Sequence, residues 1–389
     1  MSKGSIYIDK DLLFDGFFEM KPPNINDFTK HMLSNAESLK QFQDMLELCY
    51  FMVKTAFMSE TRFSRAEREK SLLPLAKLWQ TRVLVEKKHD IPDWVSIMYE
   101  AFDRYCRESD LAFLAAHKLE IEYTKIPSLR VERDGRIIMN VALLPFLMQI
   151  NYSYMFFAKI KDVEKCSAEV NQKMLPLLTF CNDPIATSIS CLPIVYGLSR
   201  DEIKFAKIMS LYQVYYMILH EVGHINWRHV PGEADKITVN SVEASKEIKA
   251  DIYAYSVLSR FGDENQILIN MSIVSLLSFF ALAEELKNKM RGREESLNYK
   301  IYSDRIYLAK MGLRSAVGKY DPDSIDGKSF EAVEAAADKH VNFALGPLGY
   351  VQKTISELTA QELREFSDHF TLEGANKYFK ENADATTNN

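Results

Sequence analysis

The segment SRDEIKFAKIMSLYQVYYMILHEVGHINWRH, residues 199–229, decides how the chain is read. Ser199 and Glu202 have the spacing of a capping box, in which each side chain accepts a hydrogen bond from the other residue's free backbone N–H. An apolar run follows. No strong helix breaker intervenes before Pro231-Gly232, where proline cannot continue the hydrogen-bond ladder. One long helix is therefore expected, ending near Pro231. Towards its end His220 and His224 stand four residues apart, so both imidazoles share one face, a turn from each other. Glu221 follows the first histidine directly. Three ionisable side chains beside Tyr215, Met217, Ile218 and Leu219 are costly unless something satisfies them.

A divalent cation would satisfy them. Neutral imidazole binds zinc at roughly 2.0–2.1 Å, and catalytic zinc takes three protein ligands with one position left open. Downstream lies Glu247-Ile248-Lys249-Ala250-Asp251. Glu247 and Asp251 are again four apart on an expected helix, Val242 to Phe261. Glu247 is the candidate third ligand. Asp251 can accept the N–H of a ligand histidine and fix its tautomer. Ala250 is small enough to let the two helices approach closely. Glu243 is a rival third ligand, and a solvated charged face through Glu243, Lys246, Glu247 and Lys249 is the plainer alternative. A three-histidine site would need HExxHxxGxxH, but Trp227 and Val230 occupy its last two defining positions. His229 is expected to cap the helix C-terminus instead.

HEVGH followed by EIKAD resembles the gluzincin metallopeptidases, in which HExxH is followed by a glutamate ligand in an ExxAD or ExxxD segment. The ExxAD form is similar to prenyl-protein-processing proteases and their minimal soluble relatives. HEVGHINWRH also resembles the HExGHxxxGH of phage-exclusion peptidases, with His229 matching and Arg228 in place of the glycine. The resemblance implies a zincin-like fold with a twisted sheet whose edge strand lines the substrate cleft. It implies Zn2+ held by His220, His224 and Glu247, Glu221 as general base and Asp251 behind the ligands. Members often carry an arginine near the substrate oxyanion on a later helix. Arg305, in YKIYSDR, is the nearest match here, although the proline that usually precedes it is missing. Tyr299 or Tyr302 would then hydrogen-bond the tetrahedral intermediate. A surface ion pair is the alternative reading of Arg305.

Outward from this centre, LRVERDGRIIMN at 129–140 reads as a hairpin, with Asp134-Gly135 as its turn. Val141 to Lys159 reads as a buried helix, and Ile185 to Val195 as a second strand candidate. Ile267 to Met290 reads as a further helix. The region 330–380 reads as helical, with Thr359 and Glu362 as another capping box. Residues 26–60 carry helical periodicity, and 64–118 look like two or three more helices. Asp321 to Gly327 reads as a solvated loop, because its spacing does not fit a calcium-binding loop. His31, His89, His117, His340 and His369 stand alone and read as structural. The expectation is an α+β, predominantly helical chain. It has an N-terminal helical region at 1–125, a zincin-like core at 126–320 and a C-terminal helical region with a frayed tail at 321–389.

Composition sets the remaining bounds. The 389 residues are 47% hydrophobic and 26% charged, with a formal net charge of -6. That balance argues against nucleic acid, which favours a concentrated basic face. Five scattered cysteines without a CxxC pair point to a reducing, cytoplasmic setting. The first residues, MSKGSIYIDKDLLFDGFF, lack the apolar run and cleavage site of a signal peptide. Ile267 to Ala283 is interrupted by Asn270 and by Ser272, Ser275 and Ser278. It falls short of the roughly 20 apolar residues of a membrane span. The expectation is thus a zinc-dependent metalloendopeptidase with a protein or peptide substrate, no nucleic-acid partner and no membrane span. The alternatives are a non-catalytic regulator that keeps a metallopeptidase fold, and a helical scaffold in which HExxH is fortuitous.

Overall fold

The computed structural model describes residues 47–55, 75–76, 119–122, 124–132, 134–159, 173–183, 192, 198–227, 239–262, 265–293, 297–320 and 330–368. Within them the chain is predominantly helical with one small sheet. Strands β1 (Leu119–Glu122), β2 (Leu129–Val131) and β3 (Ile137–Asn140) precede the main run of helices. These are α1 (Leu143–Phe157), α2 (Leu175–Asn182), α3 (Arg200–Asn226), α4 (Val239–Leu258), α5 (Gln266–Met290), α6 (Leu297–Tyr320), α7 (Phe330–Glu357) and α8 (Ala360–Asp368). Residues 47–55, which are helical, place Leu48, Phe51 and Met52 in the same core.

The sheet has the order β1-β3-β2. β2 and β3 form the expected antiparallel hairpin, with Leu129 opposite Met139. Gly135 sits at φ 82 in the turn, a left-handed conformation glycine adopts without a Cβ penalty. β1 pairs parallel to β3, Leu119 opposite Ile137. This strand lies in the stretch expected to belong to the N-terminal helical region. Its pairing partner is on the far side of the hairpin, so no local pattern announces it. At the end of β3, the Asn140 carbonyl oxygen Oδ1 accepts from the Ala142 N–H at 2.7 Å and turns the chain into α1.

Among the described elements, α3 packs on α1, α4 and α5, and β2 and β3 lie against it. Its start is as the spacing predicts: Glu202 N–H donates to Ser199 Oγ at 3.3 Å, and Ser199 N–H to Glu202 Oε2 at 2.6 Å. It ends earlier than expected, at Asn226. Trp227, at ψ 8, has left helical geometry while its N–H still reaches the Gly223 carbonyl. Residues 228–238, including His229 and Pro231-Gly232, lie outside the described residues. So do the strand candidate at 185–195 apart from Leu192, the loop at 321–327, and most of the helices expected before residue 119.

The helices around α3 are tied together by polar groups inside an apolar core. Asn151 Nδ2 on α1 donates to Ser210 Oγ and Gln213 Oε1 on α3, both at 2.8 Å. Gln213 Nε2 donates to the Ser272 carbonyl on α5 at 3.0 Å and to Ser275 Oγ at 3.2 Å. A slip of one helix along another would leave these amides unpaired, at about 1–3 kcal/mol each. The network therefore fixes the register of three helices, and with it the height of His220 and His224. α5 is long and apolar enough to cross a membrane by length and composition, and 78% of its most apolar window is buried inside the protein. The interrupting Asn270, Ser272, Ser275 and Ser278 are themselves buried and face this core.

Candidate metal centre

α3 and α4 meet where each carries its smallest residue. A Cβ placed on Gly223 would lie 2.8 Å from Ala250 Cα and 2.9 Å from its carbonyl oxygen. This close approach brings the polar faces of the two helices together. His220 Nε2 lies 3.0 Å from His224 Nε2 and 3.2 Å from Glu247 Oε2. His224 Nε2 lies 3.2 Å from Glu247 Oε1. The spacing argument thus assembles the two histidines and Glu247 at one point. Glu243 and Tyr299 have side chains outside the described set.

The donor set fits a zinc ion. Two ligands bonded to one tetrahedral zinc at roughly 2.0–2.1 Å are about 3.3 Å apart. The three separations here, 3.0 to 3.2 Å, match that edge closely. Hydrogen bonding also sets the lone pairs. Asp251 Oδ1 lies 2.7 Å from His220 Nδ1, so this nitrogen donates to the carboxylate. Arg305 Nη2 is 3.4 Å from the same nitrogen and makes a far poorer partner. Neutral His220 therefore carries its proton on Nδ1 and its lone pair on Nε2, facing His224 and Glu247. Two imidazole nitrogens and a carboxylate converging on one point without a cation is a repulsive arrangement unless protons intervene. Among the described residues, this is the cluster suited to a metal ion.

Behind the two histidines and Glu247 stands Asp251, 0% exposed. Arg305 on α6 reaches it with Nε to Oδ2 at 2.8 Å and Nη2 to Oδ1 at 3.0 Å, while Nη1 donates to Glu247 Oε2 at 3.1 Å. Arg305 is only 8% exposed, so it is not a surface ion pair. Its hydrogen bonds go to the Glu247 carboxylate and to the carboxylate behind His220. Tyr302 packs its ring 6.2 Å from Phe280 and lies under the Arg305 guanidinium at 5.7 Å. Burial pushes its hydroxyl up to about 12. It stays protonated at neutral pH and can only offer an O–H or accept.

Glu221 is half-buried on α3. Burial raises its carboxyl above the ordinary value, against the pull of His220 and His224. Burial acts the same way on Glu247, but hydrogen bonds with His220 and His224 hold that carboxyl far below the usual range. The two glutamates are thus driven in opposite directions: Glu247 is held as an anion by its partners, and Glu221 becomes a better proton acceptor.

One member of the cluster had no signal in the sequence. Tyr216, 1% exposed, places its hydroxyl 2.5 Å from Asp251 Oδ1 and 3.2 Å from Arg305 Nη2. It precedes His220 by one turn and reads as one more aromatic in an apolar run. Its partners lie on α4 and α6, too far along the chain for any local pattern to show them. No family model, curated protein or solved structure matches the chain.

Proposed function

We propose that the chain is a zinc-dependent metalloendopeptidase of gluzincin type, with its catalytic unit in 126–320 and a protein or peptide as substrate. The observation that carries this reading is the convergence of His220 Nε2, His224 Nε2 and the Glu247 carboxylate within 3.2 Å, with Asp251 holding the Nδ1 proton of His220. Zinc bound there would supply a Lewis acid and an acidified water. Glu221, whose carboxyl burial raises, would accept a proton from that water and return it to the leaving amine. Glu247, bound to the ion and held by Arg305, would stay a ligand rather than compete for that proton. His220 and His224 would offer Nε2 to the ion, one turn apart on a helix whose register is locked from beneath.

Arg305 serves this chemistry by holding Glu247 and Asp251 in place. Tyr302, with its hydroxyl protonated, remains the candidate donor to the developing oxyanion. A cytoplasmic setting accords with Cys49 and Cys181 being free thiols. α5 is read as a core helix, so we place no span in a membrane. The net charge of -6 gives no reason to add a nucleic-acid partner.

The test compares wild type with Glu221→Gln by a proteomic search for new peptide termini. Wild type should generate termini that the variant does not, while both retain zinc. Equal cleavage by both removes Glu221 from the mechanism. Zinc-loaded wild type that cuts nothing favours the regulator that keeps a metallopeptidase fold.

A further inference from the structure

We propose that Tyr216 is a positioning residue of this centre: its hydroxyl, bonded into Asp251 Oδ1, locks the carboxylate that orients the ligand His220. The inference rests on the metal-site reading above and adds a residue and a role to it.

The direction of each hydrogen bond follows from chemistry. Arg305 can only donate, and an ionised Asp251 can only accept. The Tyr216 hydroxyl, 3.2 Å from Arg305 Nη2 and 2.5 Å from Asp251 Oδ1, therefore accepts from the arginine and donates to the aspartate. Asp251 Oδ1 then receives three donors, from His220 Nδ1, Tyr216 and Arg305 Nη2, at 2.7, 2.5 and 3.0 Å. Oδ2 receives Arg305 Nε at 2.8 Å. With Oδ1 carrying three of these bonds, the carboxylate is held in one rotation. One of these three is the bond that fixes the His220 ring.

Packing keeps the hydroxyl there. The Tyr216 ring lies 6.0 Å from the His220 ring and 5.8 Å from the Tyr255 ring. The Tyr255 hydroxyl is also buried, yet it has no hydrogen-bond partner. Of these two neighbouring tyrosines, Tyr216 is the one whose hydroxyl bonds Asp251. Tyr216 and His220 share α3, whereas Asp251 belongs to α4 and Arg305 to α6. The hydroxyl therefore couples the ligand-bearing helix to both of its neighbours at the level of the metal.

The experiment uses the full chain as Tyr216→Phe and, separately, with 3-fluorotyrosine inserted at position 216. Zinc affinity is read by competition with a chromophoric chelator, ligand geometry by the visible spectrum of the Co2+-loaded protein, and fold by metal-free thermal denaturation. Tyr216→Phe should bind one zinc about tenfold more weakly, with a shifted Co2+ spectrum. The fluorotyrosine chain, which keeps ring and donor, should bind as wild type does, and its 19F resonance should move when zinc is added. A Phe variant with wild-type affinity and spectrum overturns the proposal, whatever its melting temperature, because a merely structural hydroxyl would affect only the latter. If the Phe variant fails to fold, the fluorotyrosine chain decides: a 19F resonance indifferent to zinc overturns the proposal. A wild-type chain that binds no zinc fails one step earlier, at the metal-site reading itself.

Discussion

Gly223 and Ala250 are the point where α3 and α4 touch, with a Cβ on Gly223 falling 2.8 Å from the Ala250 backbone. Gly223 lies inside the HEVGH segment and Ala250 immediately before Asp251. The residues that let the helices close are thus interleaved with those that hold the proposed ion. A methyl group there would meet backbone, which cannot rotate away as a side chain can. Helix separation is the remaining response, and it carries Glu247 away from His220 and His224.

Gly223→Ala is accordingly expected to destabilise the fold. The gain in helix propensity is about 1 kcal/mol. Overpacking against backbone costs about 1–3 kcal/mol and should win. Zinc affinity should fall as well. Gly349→Ala on α7 is the control, since nothing lies within 4 Å of a Cβ there. It should leave zinc binding unchanged and raise the melting temperature slightly. Thermal denaturation and zinc titration of both variants check the contrast.

Asp251→Asn should be the most damaging isosteric change. It leaves the buried Arg305 with Glu247 as its remaining carboxylate partner. Breaking a buried pair in this way costs about 3–5 kcal/mol. It should also weaken zinc binding about 10–100-fold, because His220 loses the carboxylate that fixes its tautomer. Denaturant unfolding of the metal-free protein and chelator competition read these two effects separately. A variant as stable as wild type would mean that Asp251 does not carry the charge assigned to it.

Zinc stabilisation should grow as pH rises. In the metal-free protein, desolvation and the Arg305 charge push the His220 imidazole down. Hydrogen bonds with Asp251 and Glu247 outweigh them and raise it above its ordinary 6.5. A raised imidazole gives the metal-free fold stability that is full below 6.5 and lost as pH climbs through the raised value. Zinc needs that nitrogen unprotonated, so it competes with the proton across the same window. The rise in melting temperature on adding zinc should therefore be smaller at pH 6 than at pH 8. The opposite trend would place the bound ion on other groups.

Much of this centre was legible in sequence because its parts are local. Ser199 and Glu202 announce α3, Asp134-Gly135 announces the hairpin, and two pairs four residues apart announce the cluster of His220, His224, Glu247 and Asp251. Three features were not legible. β1 finds its parallel partner across the intervening hairpin, and four residues of LEIE carry no sign of it. Arg305 was open between a surface ion pair and an oxyanion contact. Its burial and its carboxylate partners depend on how α6 settles against α4. Tyr216 looks like core from its neighbours, and only the approach of Asp251 and Arg305 gives its hydroxyl a task.

The central claim is that His220, His224 and Glu247 enclose one zinc ion, and X-ray absorption at the zinc edge of the purified full chain tests it most directly. The account predicts about one zinc per chain, two imidazole nitrogens and carboxylate oxygen at roughly 2.0–2.1 Å, and loss of the metal in Glu247→Ala. A chain that takes up no zinc, a sulfur-rich shell, or a spectrum unchanged in Glu247→Ala would contradict it.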